Sequence, residues 1–222
     1  MNRSSPRTLD WTSILAGLAE LRSESPQILE QNVLVGGAAC LFYRDQLERI
    51  SDPDFRVRTY SAEEERVWLS RDADFATTEP EKMPDHAGTV PLGRLQMGFV
   101  VGADEFKENA RTVSLKWGAV KFTLLIADPL DLWREKEAAI YQRSRPQDSL
   151  HLEVLRTTLQ WEIAHYAGAV ASGSLSFRQW ETRSREIMAR WRLVFDYAPL
   201  RERLLSLGGP EIANFVGHVR VR

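Results

Sequence analysis

Two aspartates two positions apart, Asp72 and Asp74, lie in the stretch SRDADF and have the residue type and spacing for metal chemistry. Apolar Ala73 and Phe75 alternate with them, which predicts a strand over residues 67–77. Side chains two apart on a strand point to the same face, and paired carboxylates repel unless a cation or a shared proton relieves them. Mg²⁺ commonly uses one or two carboxylates together with substrate phosphates. The pair therefore predicts a magnesium site; the alternative is an acidic loop.

A glycine pair, Gly36 and Gly37, ends a short apolar strand over residues 32–35 and precedes a helix that starts near Ala38. Glycine allows the backbone to approach a phosphate closely, and amides at a helix N-terminus are available to bind it. The alternative is a tight strand-to-helix turn without a ligand. The dinucleotide-binding motif G-x-G-x-x-G and the P-loop motif are both absent.

Together, VLVGGAA and SRDADF resemble the nucleotidyltransferase fold superfamily, whose signature is a glycine pair at a strand–helix junction followed by an acidic strand. Residues 128–155, DPLDLWREKEAAIYQRSRPQDSLHLEVL, are similar to a region of AbiEii-like and related uncharacterised nucleotidyltransferases. In that region a helix bearing a lysine precedes an arginine-rich turn and an aspartate. Lys136 and Asp148 are the matching positions, and the resemblance covers residues 31–155.

The resemblance implies an α+β fold with a nucleotidyltransferase-like mixed β-sheet flanked by helices. The glycine turn at Gly36 and Gly37 would hold the triphosphate of a nucleoside triphosphate. Asp72 and Asp74 would coordinate Mg²⁺ while an acceptor hydroxyl attacks the α-phosphorus and pyrophosphate leaves. A role in toxin–antitoxin systems or phage defence is implied by the same resemblance.

Four further residues receive expected roles from the resemblance. Ser70 and Arg71 flank the acids on the nucleotide-binding side, and Arg71 would reach a phosphate or, alternatively, form a surface ion pair. Lys136 would neutralise phosphate charge as a catalytic residue; without the family context it is a solvated lysine on a charged helix face. Asp148 would belong to the nucleotide-binding set, although its position also predicts a helix N-cap.

The sequence departs from the family pattern in two places. Residues 51–66 form an insertion between the glycine pair and the acidic strand. The later strand AVKFTLLIA, on which the family often has a third carboxylate, carries Lys121 and Thr123 instead, and Asp128 beyond it is expected to cap a helix. A catalytically silent nucleotide-binding or partner-binding module is therefore an alternative, as is a relative of the aminoglycoside adenylyltransferases.

Composition restricts the class of protein. The 222 residues are 43% hydrophobic and 27% charged, as in ordinary globular proteins, with a formal charge of -2. That charge argues against a generally basic nucleic-acid-binding surface. A single cysteine, Cys40, excludes an internal disulfide and a multi-cysteine zinc site. No signal peptide or membrane-spanning run is evident, so we expect a cytoplasmic protein without membrane partners.

Periodicity predicts a mixed first half and a helical second half, with a boundary near residue 128. The predicted domains are a nucleotidyltransferase-like domain, 1–127, and a helical domain, 128–222. The alternative is that both halves belong to one compact body. Short strands are expected over 94–126, and helices over 8–23, 129–143, 148–171, 175–196 and 198–206. The arginine-rich stretch over 177–192 predicts an amphipathic helix with a solvated rim. The alternative is a surface for tRNA or another nucleic-acid acceptor.

Overall fold

The computed structural model of the chain describes residues 10–68, 73–77, 90–92, 95–101, 104–143 and 145–219. Three residues with expected roles, Ser70, Arg71 and Asp72, lie outside these ranges. Asp74, both glycines of the turn, Lys136 and Asp148 lie within them.

The described strands form one mixed sheet. Numbered along the chain, they are β1 Val33–Val35, β2 Ala73–Thr77, β3 Val90–Leu92, β4 Leu95–Val101, β5 Arg111–Trp117 and β6 Val120–Ile126. Their order across the sheet is β3-β4-β2-β1-β6-β5. β1 is antiparallel to β2 and parallel to β6, and β2 is parallel to β4. The short, fully buried β1 therefore lies near the middle of the sheet.

Helices pack around this sheet and make up most of the chain after residue 128. They are α1 Trp11–Glu24, α2 Pro26–Gln31, α3 Gly36–Arg49, α4 Ala62–Trp68, α5 Asp104–Glu108, α6 Pro129–Arg143, α7 Pro146–Ala171, α8 Phe177–Arg190, α9 Ala198–Ser206 and α10 Pro210–His218. The mixed sheet with flanking helices and the helical second half confirm the coarse α+β prediction. None of the helices described here has the length and apolarity needed to cross a membrane.

The strand predicted over 67–77 is wrong at its beginning. Trp68 ends helix α4, and the described part of β2 is Ala73–Thr77. A reciprocal pair of hydrogen bonds starts that helix: the Glu64 amide donates to the Ser61 hydroxyl at 3.2 Å, and the Ser61 amide donates to the Glu64 carboxylate at 2.9 Å. This is a capping box, which the stretch SAEE encodes locally.

Other predicted boundaries of helices and strands also differ from those in the structure. Helix α5 interrupts the segment 94–126, which was predicted to contain strands alone. The helix predicted over 175–196 ends at Arg190, and a 3-10 turn follows at Val194–Asp196. Asp148 is not the N-cap of α7, because the helix begins at Pro146 and Arg145 is the cap residue.

One hydrophobic cluster includes residues from both predicted halves. It contains Leu34 and Phe75 of the sheet, and Leu159 and Phe195 of the helical part. Arg203 on α9 also donates to Asp52 Oδ2 at 2.8 Å, across the predicted boundary. The two halves therefore share a core, whereas the position of a domain boundary stays a prediction.

A buried group of charges joins the edge of the sheet to the helical half. Arg111 on β5 and Arg183 on α8 each contact both Asp128 and Glu162, at 2.6 to 2.9 Å. The two acidic side chains are 7% and 3% exposed, so each carboxylate depends on the arginines for compensation. Burial alone would raise the pKa of Asp128, but Arg111 and Arg183 outweigh burial and lower it.

Candidate active site at the glycine turn

The turn from β1 to α3 has a backbone conformation that favours glycine. Gly36, the first residue of the helix, has φ +67°, whereas the preceding Val35 is extended. A residue with a Cβ is strained in this left-handed region, and glycine is not. The pair thus lies at the predicted strand–helix junction, whereas its phosphate-binding role stays a prediction. Gly36 is buried and Gly37 half-buried.

Sheet pairing places Asp74 directly beside this turn. Val35, the last residue of β1, is opposite Asp74 on β2, and on the other side Asp74 is opposite Gly98 on β4. Its neighbours Ala73 and Phe75 are fully buried, while Asp74 is half-buried, as the alternation of a strand requires. The aspartate therefore projects from the face of β2 opposite to the core positions of those two neighbours.

The Asp74 carboxylate occupies space that two glycines leave open. A Cβ added to Gly36 would lie 2.6 Å from Asp74 Oδ2, and a Cβ added to Gly98 would lie 2.5 Å from Asp74 Oδ1. Both distances are shorter than any van der Waals contact, so glycine at these two positions is what admits the carboxylate. The structure thus brings Asp74 and Gly36 together.

Lys136 on α6 and Asp148 on α7 form a second, buried part of the candidate site. Lys136 Nζ lies 3.9 Å from Asp148 Oδ1 and 3.0 Å from Glu135 Oε1. The Lys136 side chain is 3% exposed and that of Asp148 is 0% exposed. The alternative of a solvated lysine is therefore wrong. Arg145 Nε contacts the second oxygen of Asp148 at 3.0 Å.

The environment of Lys136 keeps it charged. Burial alone lowers its pKa, but Cys40, Glu135 and Asp148 outweigh burial, and the net shift is upward. Cys40 lies one turn along α3 from Gly36, on the same side of that helix. Burial raises the pKa of the Cys40 thiol to about 12, so it is a packing residue and not a nucleophile. Helices α3 and α6 contact each other, so Lys136 lies on an element that packs against the helix started by the glycine turn.

His151 belongs to this cluster, and sequence reasoning did not place it there. Its Nδ1 is 3.8 Å from Asp148 Oδ1, and its ring packs against Trp68 with a centroid distance of 4.9 Å. Burial, with the charges of Lys136 and Arg145, lowers its pKa to about 3, so the imidazole is neutral. The only sequence signal was its position one turn after Asp148.

Asp128 does not supply the missing third carboxylate. It lies just beyond β6, at the end of the strand nearest the glycine turn, because Ala127 donates its amide to Leu34. Its oxygens bind Arg111 and Arg183, and Oδ1 accepts the Leu130 amide at 2.9 Å. The predicted helix-capping role is thus confirmed. Lys121 and Thr123 on β6 are exposed.

Asp74 is the member of the predicted metal pair whose position is known. In the part of the chain that the structure describes, no group of three or more His, Cys, Asp or Glu side chains converges as a metal site. Asp72, together with Ser70 and Arg71, precedes the described part of β2.

No family model, no curated protein and no solved structure matches this chain. The nucleotidyltransferase assignment therefore stays a prediction from the sequence motifs.

Proposed function

We propose that this protein is a Mg²⁺-dependent nucleotidyltransferase that moves a nucleotidyl group from a nucleoside triphosphate to a hydroxyl acceptor. The acceptor is a nucleic acid, a protein or a small molecule. One observation carries the proposal: the Asp74 carboxylate lies against a left-handed glycine turn that starts a 14-residue helix. A backbone suited to binding phosphate and a carboxylate suited to binding a metal are thus adjacent.

The backbone amides of the turn and the Asp74 carboxylate beside it have complementary chemistry. The first amides of α3 have no partner within the helix, and the helix dipole makes its N-terminus favourable for anions. Phosphate oxygens of a triphosphate would accept hydrogen bonds from Gly36, Gly37 and Ala38. The absence of a side chain at Gly36 lets the phosphates reach both the backbone and Asp74.

Asp74, with Asp72, would hold the magnesium ion. Carboxylate oxygens are the protein ligands that Mg²⁺ prefers, with substrate phosphates and water completing the shell. When bound, the ion neutralises phosphate charge and stabilises the charge that develops on the leaving group.

The Lys136–Asp148 pair would serve the same reaction from the side of α6 and α7. A buried ammonium with a raised pKa is charged at neutral pH and attracts the phosphates. Asp148 and Glu135 orient it, so its Nζ is preorganised. In the transfer the acceptor oxygen bonds to the α-phosphorus, the bond from that phosphorus to the bridging oxygen breaks, pyrophosphate leaves, and the hydroxyl proton passes to solvent.

The first test is label transfer from each α-labelled nucleoside triphosphate with Mg²⁺, using bulk tRNA, total protein and small aminoalcohols as acceptors. We expect Asp74→Asn to lower transfer at least ~100-fold, because a neutral amide is a poor Mg²⁺ ligand. Asp196→Asn is the matched control, since Asp196 is exposed and lies in the 3-10 turn after α8. Transfer that survives in Asp74→Asn contradicts the proposal.

A second candidate is a nucleotide-binding module without catalysis. The observation that favours it is that Asp128, the acid nearest to a third metal-ligand position, is held by two arginines. Calorimetric titration with a nonhydrolysable triphosphate distinguishes the two. Mg²⁺-dependent binding that Asp74→Asn abolishes, without label transfer to any acceptor, would establish the module and remove catalysis.

A further inference from the structure

A separate cavity lies on the far half of α7, away from the glycine turn. Its volume is about 450 Å³, which is within the range of small-molecule sites. Gly168 lines it and is twenty residues after Asp148, so the cavity is about 30 Å along the helix from the buried lysine pair. It is therefore a site distinct from the one proposed for the nucleotide.

One wall of the cavity is aromatic. Trp161 and His165, one turn apart on α7, stack with their ring centroids 4.7 Å apart and their planes at 17°. His165 is exposed and Trp161 half-buried. Ala164 and Gly168 continue the same helix face, and their small size opens space beside the rings. A Cβ added to Gly168 would meet nothing within 4 Å.

Asp52 and Arg203 also line the cavity, and they belong to a group of side chains with an excess of negative charge. Arg203 on α9 binds both oxygens of Asp52, at 2.8 and 3.2 Å, and Asp54 at 3.0 Å. Two carboxylates thus share one guanidinium, and the three side chains sum to a charge of −1. The side chains of Asp52, Asp54 and Arg203 are 21%, 39% and 37% exposed, so the excess charge is partly shielded from water.

The end of α7 adds to this negative potential. The cavity extends to Ser172 and Ser174, just beyond Ala171, the last residue of this 26-residue helix. Both hydroxyls donate to the Ala169 carbonyl at 3.0 Å. A helix C-terminus has a negative partial charge that favours cations.

From these three features we propose that this cavity binds a small organic cation, an amine or a quaternary ammonium ion. Its positive charge would lie between the Trp161–His165 rings and the Asp52–Asp54–Arg203 group. A cation next to an aromatic ring is attracted by the negative face of the ring, and the same cation neutralises the unpaired carboxylate charge. An anion would meet the opposite potential at the rings and at the carboxylates.

The test uses three small phenyl compounds of different charge. They are benzyltrimethylammonium as the cation, benzyl alcohol as the neutral compound and benzoate as the anion, each titrated by calorimetry into the full chain. We expect the cation to bind with a dissociation constant below about 1 mM and at least tenfold more tightly than the other two compounds. Equal affinity for the three, or no binding of the cation at 10 mM, would overturn the proposal.

Gly168 provides a variant that blocks the cavity from within. Gly168→Leu directs a branched side chain into the open space, and we expect at least a tenfold loss of cation binding. Gly168→Ala is the matched control, because it makes the same backbone change but adds one methyl group; binding should stay within threefold. If Gly168→Leu folds, as its circular dichroism and melting temperature report, and binds like the wild type, the cation lies elsewhere.

Two charge variants should change the affinity for the cation in opposite directions. A purely structural role of the Asp52–Asp54–Arg203 group would not give opposite changes. Arg203→Gln leaves both aspartates uncompensated, so cation binding should tighten threefold to tenfold. Asp52→Asn removes the excess charge, so cation binding should weaken by a similar factor. Weakening in both variants would mean that the group only shapes the cavity and would refute the charge argument. These measurements contain no nucleotide, so their outcome is independent of the proposed transferase activity.

Discussion

At the scale of single residues, the candidate site depends on two glycines whose missing Cβ atoms make room for one carboxylate. Gly36 begins α3 and Gly98 lies in the middle of β4, and both face Asp74. Gly36 also needs a left-handed backbone, whereas Gly98 does not. Glycine is therefore required at position 36 for two reasons, the left-handed backbone and the contact with Asp74. At position 98 only the contact with Asp74 requires it.

Alanine substitution separates these two requirements. Gly118, in the turn between β5 and β6, has φ +57°, but an added Cβ there meets nothing within 4 Å. Gly118→Ala should therefore lower the free energy of unfolding by about 1–2 kcal/mol, the strain of the left-handed region alone. Gly36→Ala should lower it further and abolish nucleotide binding, because the new methyl group meets Asp74 Oδ2. Urea denaturation of both variants measures the difference; equal losses would mean that Asp74 moves aside freely.

At the scale of elements, the buried charges on β5, α7 and α8 determine how the helical half attaches to the sheet. Arg183 is the arginine of α8 that reaches into this group, and it contacts Asp128 and Glu162 at 2.7 to 2.8 Å. Arg185, two residues later, pairs with Glu181 on the surface and is 64% exposed. Neither of these two arginines is therefore unpaired toward solvent, and the nucleic-acid interpretation of this helix stays a prediction.

The two arginines of α8 should differ strongly in their contribution to stability. Arg183→Met leaves two buried carboxylates with Arg111 alone and should lower the free energy of unfolding by about 3 kcal/mol. Arg185→Met breaks an exposed pair and should change it by less than about 1 kcal/mol. Chemical denaturation at pH 7 measures both changes. Similar values for the two variants would show that the buried group is not a structural link.

The same group predicts the direction of a pH dependence. The pKa of Asp128 is lowered from its ordinary value of 3.8 in the folded protein, so the unfolded chain binds the proton more readily. The stability from Asp128 is complete above the unfolded-state pKa and is lost as the pH falls through the lower folded-state pKa. Unfolding free energies measured from pH 6 to pH 2 should therefore fall less steeply for Arg183→Met than for the wild type. Parallel curves would contradict this assignment.

At the scale of the whole molecule, a shared core predicts that the two halves unfold together. Residues on both sides of position 128 belong to one hydrophobic cluster, and cooperative unfolding follows when no part has a core of its own. Far-UV circular dichroism, which is dominated by the helices, and tryptophan fluorescence should give one coincident transition in urea. Two separate transitions would instead establish 1–127 and 128–222 as independent domains.

Features determined by neighbouring residues could be predicted from the sequence. The apolar run before Gly36 and the helical pattern after it predict the β1–α3 turn, because a turn and its flanking periodicity are local. The same holds for most helices after residue 128. The strand prediction was wrong at Trp68, which lies in α4. The capping box at Ser61 and Glu64 was a local signal for this helix. The alternation of apolar residues with the acids that follow favoured a strand instead.

The remaining features depend on contacts between residues that are distant in the chain. The sequence by itself predicted a phosphate-binding role for Gly36 and a metal-binding role for Asp74, and a resemblance selected Lys136. Only the tertiary structure decided that Gly98 faces the same carboxylate, that Lys136 is buried and that Asp128 is held by arginines. Burial and charge pairing are set by which elements pack together, and residue spacing along one chain does not specify that packing.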